Sequence, residues 1–223
     1  MQLKSKALRL MGIKVIVFDF DGTLADSNRL KYNAYFELFP DDEHHCRTIR
    51  NVLSEINEKS RFVILEEILR RISPKKEAGF TREVEDLADR YNEIVLTGAK
   101  MCPEIPAAET MLKSLSQRYR LYLSSTTPET PLKEIIDYRK WGIYFEDIFG
   151  YPHQKTATIQ HIMKRETAKH NEVLVVGDGN SDRKSAAENG CFFVHVTENF
   201  NLRDLDKIIV DLSRQDGEFY VKR

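Results

Sequence analysis

One run constrains the fold of this chain more than any other. From Lys14 to Phe18 the residues Val15-Ile16-Val17-Phe18 follow one another without polar interruption and end directly in Asp19-Phe20-Asp21-Gly22-Thr23. A strand with one wet face alternates apolar and polar residues, whereas a short continuous apolar run fits a strand buried on both faces, as in a parallel sheet. Four later runs read the same way: Tyr119 to Leu123, Ile148 to Tyr151, Val173 to Val176 and Cys191 to Val196. Helical patterns alternate with them. One opens at Pro106 and carries Met111, Leu112 and Leu115 on one face; the others span about 131–141, 156–164, 181–189 and 202–212, with Gly142 and Gly190 as stop signals. Strand–helix alternation of this kind predicts an α/β domain built on a parallel sheet.

Residues 27–98 break the pattern, with no strand signal. Leu30, Ala34 and Leu38 share one helical face, Ile49, Leu53 and Ile56 a second, Phe62, Leu65, Leu69 and Ile72 a third, and Leu87, Tyr91 and Ile94 a fourth. Breaks fall near Pro40, near Lys59 and across Ser73 to Gly79. The expectation is a small helical bundle, 27–98, inserted after the first strand of a core formed by 1–26 and 99–223.

The chemistry concentrates where the strands end, which is where open α/β sheets bind ligands. Asp19 and Asp21 point to the same side if the strand continues, and two carboxylates there can share a divalent ion or divide nucleophilic and proton-transfer work. An acidic turn that merely caps a strand is the plainer alternative. The second strand leads into Ser124-Ser125-Thr126-Thr127-Pro128, whose hydroxyls can donate to phosphate oxygens. Lys155 follows the third strand, and its ammonium can offset charge between a phosphate and carboxylates. The fourth strand ends in Gly177-Asp178-Gly179-Asn180-Ser181-Asp182, two more carboxylates that also suit a helix N-terminus.

In this order the four segments resemble the four motifs of the haloacid dehalogenase superfamily. Asp19-Phe20-Asp21-Gly22-Thr23 is similar to the first, Ser125 stands at the second three residues before Pro128, Lys155 resembles the third, and Gly177 to Asp182 the fourth, continued by Ala186, Ala187 and Gly190. The resemblance covers Lys14 to Asp26 and about Pro103 to Val196. It implies a three-layer, Rossmann-like α/β core, and the slot of 27–98 is where subclasses similar to phosphoglycolate phosphatase and β-phosphoglucomutase carry a helical cap domain. It further implies a magnesium-dependent phosphatase acting on a small phosphorylated metabolite. Asp19 is then the nucleophile that forms an aspartyl-phosphate, and Asp21 the acid and base. Asp19, Asp178, the backbone carbonyl of Asp21 and, as support or through water, Asp182 hold the metal. Ser125, Lys155 and the amides of Phe20 and Thr126 bind the transferring oxygens. Arg61, at a helix junction of the insertion, is a candidate substrate contact. Thr126 departs from the asparagine of many phosphatase members. Relatives that cleave carbon–halogen or carbon–phosphorus bonds generally lack a carboxylate at the position of Asp21, so its presence favours phosphate esters.

A phosphomutase of the β-phosphoglucomutase kind uses the same motifs, and a non-catalytic binding module on the same fold is a further alternative, against which the retained Asp19, Asp21, Lys155 and Asp178 argue. No Gly-x-Gly-x-x-Gly follows the first strand, as a dinucleotide site would require. Lys and Arg, at 34, nearly cancel Asp and Glu, at 35, which removes the basic excess of a nucleic-acid-binding chain. No apolar stretch is long enough for a bilayer. Cys46, Cys102 and Cys191 lack paired spacing, which suits small apolar packing in a reducing, cytoplasmic setting.

Overall fold

A computed structural model of the chain describes residues 12–56, 59–73 and 81–214. Part of the expected break from Ser73 to Gly79 lies outside them. The chain divides into two compact units, Ser27–Cys102 and the described residues on either side of it.

The flanking unit is built on a five-stranded sheet of order β3-β2-β1-β4-β5, formed by β1 (Val15–Phe18), β2 (Arg120–Pro128), β3 (Asp147–Tyr151), β4 (Val173–Gly177) and β5 (Phe192–His195). All pairs are parallel, with Val15 beside Arg120 on one side and Val173 on the other. Every residue of β1 and of β4 is buried, as the uninterrupted apolar runs require. One face of the sheet presents Val15, Val17, Tyr122, Val173 and Val175, packed with Ile159, Ile162 and Ala186. The alternate residues Ile16, Phe18, Leu121, Leu123, Leu174 and Val176 are buried as well, so both faces are covered. Fully burying one such side chain contributes about 1.5–3 kcal/mol, against about 0–1 kcal/mol for an exposed ion pair such as Arg118 with Asp206, so the apolar layers dominate the stability.

The helices of the second unit are α1 (Asn28–Glu37), α2 (Glu43–Ile56), α3 (Arg61–Ile72) and α4 (Thr81–Met101). α3 begins where Ser60 accepts a hydrogen bond from the Val63 amide, and Arg70 and Arg71 complement its C-terminal dipole. Its buried stripe is Ile64, Leu65 and Ile68, whereas Phe62 is 45% exposed. Of the expected Phe62, Leu65, Leu69 and Ile72, Leu65 lies in that stripe and Leu69 and Ile72 pack against the same core, so only Phe62 falls off the face. α4 runs on to Met101, and the division falls between Cys102 and Pro103 rather than at 98/99.

After α4 come α5 (Ala108–Leu115), α6 (Glu129–Tyr138), α7 (Lys155–Arg165), α8 (Asn180–Asn189) and α9 (Asp204–Arg214). Two expected helix signals act elsewhere. Pro106 sits in a turn, and α5 starts only after Ala107 takes a left-handed conformation, φ 71°. α6 ends at Tyr138, before Lys140 turns the chain at φ 59°, so Gly142 is not its stop. Gly190 does close α8, at φ 66°. Cys191 is buried, while Cys46 and Cys102 are half-buried. Among the described residues no helix is long and apolar enough to cross a membrane.

Candidate active site

The strand order sets the site. The chain passes from β1 outward through β2 to β3, then returns to place β4 against the other side of β1. A crevice at the carboxyl ends of β1 and β4 follows from that reversal. The Asp19 amide bonds the Val176 carbonyl at 2.9 Å, which holds the residue after β1 level with the end of β4.

Three carboxylates converge there. One oxygen from each of Asp19, Asp178 and Asp182 lies within 4.8 Å of the others. Asp182 is nearly inaccessible because it stands on the third residue of α8 and folds back under Gly177, so that a Cβ on Gly177 would lie 2.3 Å from the Asp182 Cγ. Only glycine fits at that end of β4. The Gly179 amide donates to Asp182 Oδ2 at 3.3 Å. Asp178 is half-buried, receives the Thr23 hydroxyl at 3.5 Å, and offers its carbonyl to Nε2 of His195 at 3.0 Å.

Lys155 opens α7, an unfavourable place for a cation in terms of the helix dipole, and is nonetheless buried. The two carboxylates account for it. Its Nζ lies 2.7 Å from Asp182 Oδ1 and 2.9 Å from Asp19 Oδ1. One ammonium does not balance this much negative charge in a dry pocket. Burial, reinforced by the charges of Asp182 and Asp21 and opposed by Lys155, pushes the Asp19 carboxyl up to about 7. Burial also raises Asp182 against the pull of Lys155. For Lys155 itself burial works against the charge, but the Asp19 and Asp182 carboxylates outweigh it and hold the ammonium above its usual range.

Asp21 is turned to other partners. Its Oδ2 accepts the Thr127 hydroxyl at 2.7 Å and the Ser125 hydroxyl at 3.4 Å, and the Ser125 oxygen in turn accepts the Thr127 amide at 3.1 Å. Behind it the chain makes a tight turn: Gly22 adopts φ 70°, and the Phe20 carbonyl accepts the amides of Thr23, Leu24 and Ala25. The Phe20 ring is fully buried.

Of the residues singled out from sequence, Asp19, Asp178, Asp182 and Lys155 are thus brought into one cluster, and Asp21 with Ser125 into an adjoining one. Thr126 is exposed at the same strand end. Arg61 belongs to the other unit, where its guanidinium lies 5.3 Å above the Phe62 ring and its Nε is buried without a hydrogen bond. Thr127 was not anticipated. Its signal was present, since β2 continues through it and period two places it on the side of Ser125.

The donor set suits a hard divalent cation: carboxylate oxygens close enough to share one ion, with Asp19 Oδ1 buried and lacking a directed hydrogen bond although Lys155 is near. Asp19 and Asp178 are the natural holders, because both oxygens of Asp182 are already engaged by Lys155 and the Gly179 amide.

Fold and site together define an α/β enzyme with a carboxylate–ammonium centre at the sheet's switch point. Comparison with known proteins agrees. The model of the haloacid dehalogenase-like hydrolase family matches residues 16–196. A phosphoglycolate phosphatase of Photorhabdus laumondii is 27% identical over 208 residues, which cover 89% of this chain and 86% of the relative. Among solved structures, a predicted phosphoglycolate phosphatase of Haemophilus somnus is similar with a TM-score of 0.68 at 20% identity, over 88% of this chain and 97% of that one. A haloacid dehalogenase-type hydrolase of Bacillus subtilis, bound to magnesium, has a TM-score of 0.66 at 16% identity, over 90% and 99% of the two chains. The chain belongs to the haloacid dehalogenase-like hydrolase family.

Proposed function

We propose that the protein is a magnesium-dependent phosphatase that hydrolyses a small phosphorylated metabolite through an aspartyl-phosphate on Asp19. The observation that carries this reading is the convergence of the Asp19, Asp178 and Asp182 carboxylates at the ends of β1 and β4, with the buried ammonium of Lys155 on Asp19 and Asp182. The curated phosphoglycolate phosphatase relative supports the choice of a phosphate ester.

A phosphoryl group repels a carboxylate nucleophile until its charge is offset. Magnesium held by Asp19 and Asp178, with the Asp21 carbonyl, would supply that charge compensation. The Asp19 carboxylate attacks phosphorus, and the ester oxygen–phosphorus bond breaks. Asp21, held by Thr127, gives its proton to the leaving oxygen. It then takes a proton from water, whose oxygen attacks phosphorus and frees Asp19 and inorganic phosphate. Lys155 and the Ser125 hydroxyl, with the amides of Phe20 and Thr126, hold the oxygens of the transferring phosphoryl group. The unit 27–102 acts as the cap that selects the leaving group, with Arg61 as a contact from it.

The test is phosphate release from p-nitrophenyl phosphate with magnesium, with EDTA, and by Asp19→Asn protein. Magnesium-dependent release that the substitution abolishes is expected. Release that survives Asp19→Asn would remove Asp19 as the nucleophile, and release only in the presence of a sugar bisphosphate would favour a phosphomutase.

A further inference from the structure

The edge strand β5 sends one side chain into the loop that follows β4. His195 is the last residue of β5 and pairs in register with Gly177, the last residue of β4. The Val196 amide donates to the Gly177 carbonyl at 2.9 Å. The next carbonyl along, that of Asp178, receives the His195 ring, whose Nε2 stands 3.0 Å away. A carbonyl oxygen only accepts, so this nitrogen carries a hydrogen, as it does in the Nε2–H tautomer and in the imidazolium alike. The bond therefore does not depend on the charge of the ring.

The peptide unit that His195 grips joins Asp178 to Gly179. Its carbonyl accepts from β5, and its amide donates to Asp182 Oδ2 on α8 at 3.3 Å. A peptide unit is planar, so holding both of its polar ends sets the backbone of Asp178 and Gly179 together. The direction in which Asp178 presents its carboxylate follows from that backbone. The other oxygen of Asp182 lies 2.7 Å from Lys155 Nζ. One imidazole thus stands behind the Asp178 carboxylate directly, and behind the Asp182–Lys155 pair through a single peptide.

The ring is itself aimed. Phe193, two residues earlier on the same face of β5, lies alongside it, with centroids 6.1 Å apart and planes inclined by 26°. The Arg183 guanidinium, from α8, is in turn 5.3–5.5 Å class contact distance, 5.4 Å, from the Phe193 centroid. Both elements that flank the loop therefore help to orient His195.

We propose that His195 is a positioning residue for the metal-binding loop, acting through the Asp178–Gly179 peptide on the carboxylates of Asp178 and Asp182. The inference rests on the magnesium-dependent reading above and adds to it a residue that touches neither metal nor substrate.

The test uses His195→Asn and His195→Gln in the full chain. The glutamine amide nitrogen overlays the position of Nε2, whereas that of asparagine stops at the position of Nδ1. In metal-free protein, amide hydrogen exchange read by NMR should be about tenfold faster at Gly179 in His195→Asn, and within about twofold of wild type at Val175 inside β4. Calorimetric titration of magnesium should give a Kd about tenfold weaker in His195→Asn and within about threefold of wild type in His195→Gln. With p-nitrophenyl phosphate, the magnesium concentration for half-maximal rate should rise by the same factor while KM for the ester stays within about twofold. Unchanged Gly179 exchange in His195→Asn, or equal losses of magnesium affinity in both variants, overturns the proposal. Wild-type protein that neither binds magnesium nor releases phosphate would instead remove the phosphatase reading, and the Gly179 exchange would still decide whether His195 holds the loop.

Discussion

Lys155 Nζ and Asp19 Oδ1 stand 2.9 Å apart, and both side chains are less than a tenth exposed. A buried pair of this kind is costly to break from one side. Lys155→Met should lower the stability of the metal-free protein at pH 8 by about 3 kcal/mol or more, because it strands the carboxylates of Asp19 and Asp182 together. Denaturant unfolding in EDTA measures it. The loss should shrink when magnesium is added, while turnover stays abolished, which separates charge compensation from catalysis.

The pH dependence follows from Asp19. Its carboxyl titrates near 7 in the folded chain against 3.8 unfolded, so the folded state binds the extra proton between those values. The resulting stabilisation is complete below about pH 3.8 and is lost as pH rises through about 7. Thermal unfolding of metal-free wild type relative to Asp19→Asn should therefore worsen steadily from pH 5 to about pH 7 and level off above it. Magnesium should act in the opposite sense, since it binds the deprotonated carboxylate. A wild-type-to-variant difference constant across that range would contradict the assignment.

Gly177 gives a steric test. A methyl group there would lie 2.3 Å from Asp182 Cγ, so Gly177→Ala must push the Asp182 carboxylate away from Lys155. Overpacking of this kind costs about 1–3 kcal/mol, read by chemical denaturation. Magnesium affinity, followed by calorimetry, should weaken with it.

Thr127 gives a test of the acid–base side. Thr127→Val removes the 2.7 Å hydrogen bond to Asp21 while nearly keeping the shape. A fall in kcat of about tenfold is expected, with magnesium affinity unchanged and activity recovered in Thr127→Ser. Equal losses in the Val and Ser variants would show that Thr127 matters only for packing.

The strands were legible because burial on both faces leaves an uninterrupted apolar signature, and the residues just after β1 and β4 stood out as carboxylates at strand ends. Residues whose role depends on a partner far along the chain were harder to see. Thr127 reads as an ordinary turn residue until β2 is known to continue through it to Pro128. On α3 only Phe62 was misplaced, because periodicity counts every apolar residue toward the buried face and this one, in the first turn, stays 45% exposed. Pro106 and Gly142 signalled helix limits that Ala107 and Lys140 set instead, through left-handed conformations that sequence assigns to glycine by default.

The position of β1 has a consequence for how the protein is made. Its neighbours in the sheet begin at Arg120 and Val173, so Val15 pairs with partners synthesised more than a hundred residues later. Contacts of such high sequence separation form slowly and only after loop closure. On the ribosome, the segment carrying Asp19 is made before both of its sheet partners, with the local helices α1–α4 between it and the nearer one. Asp19 therefore reaches its final place only after chain more than a hundred residues downstream has been made, and until then the apolar run before it is open to wrong pairing.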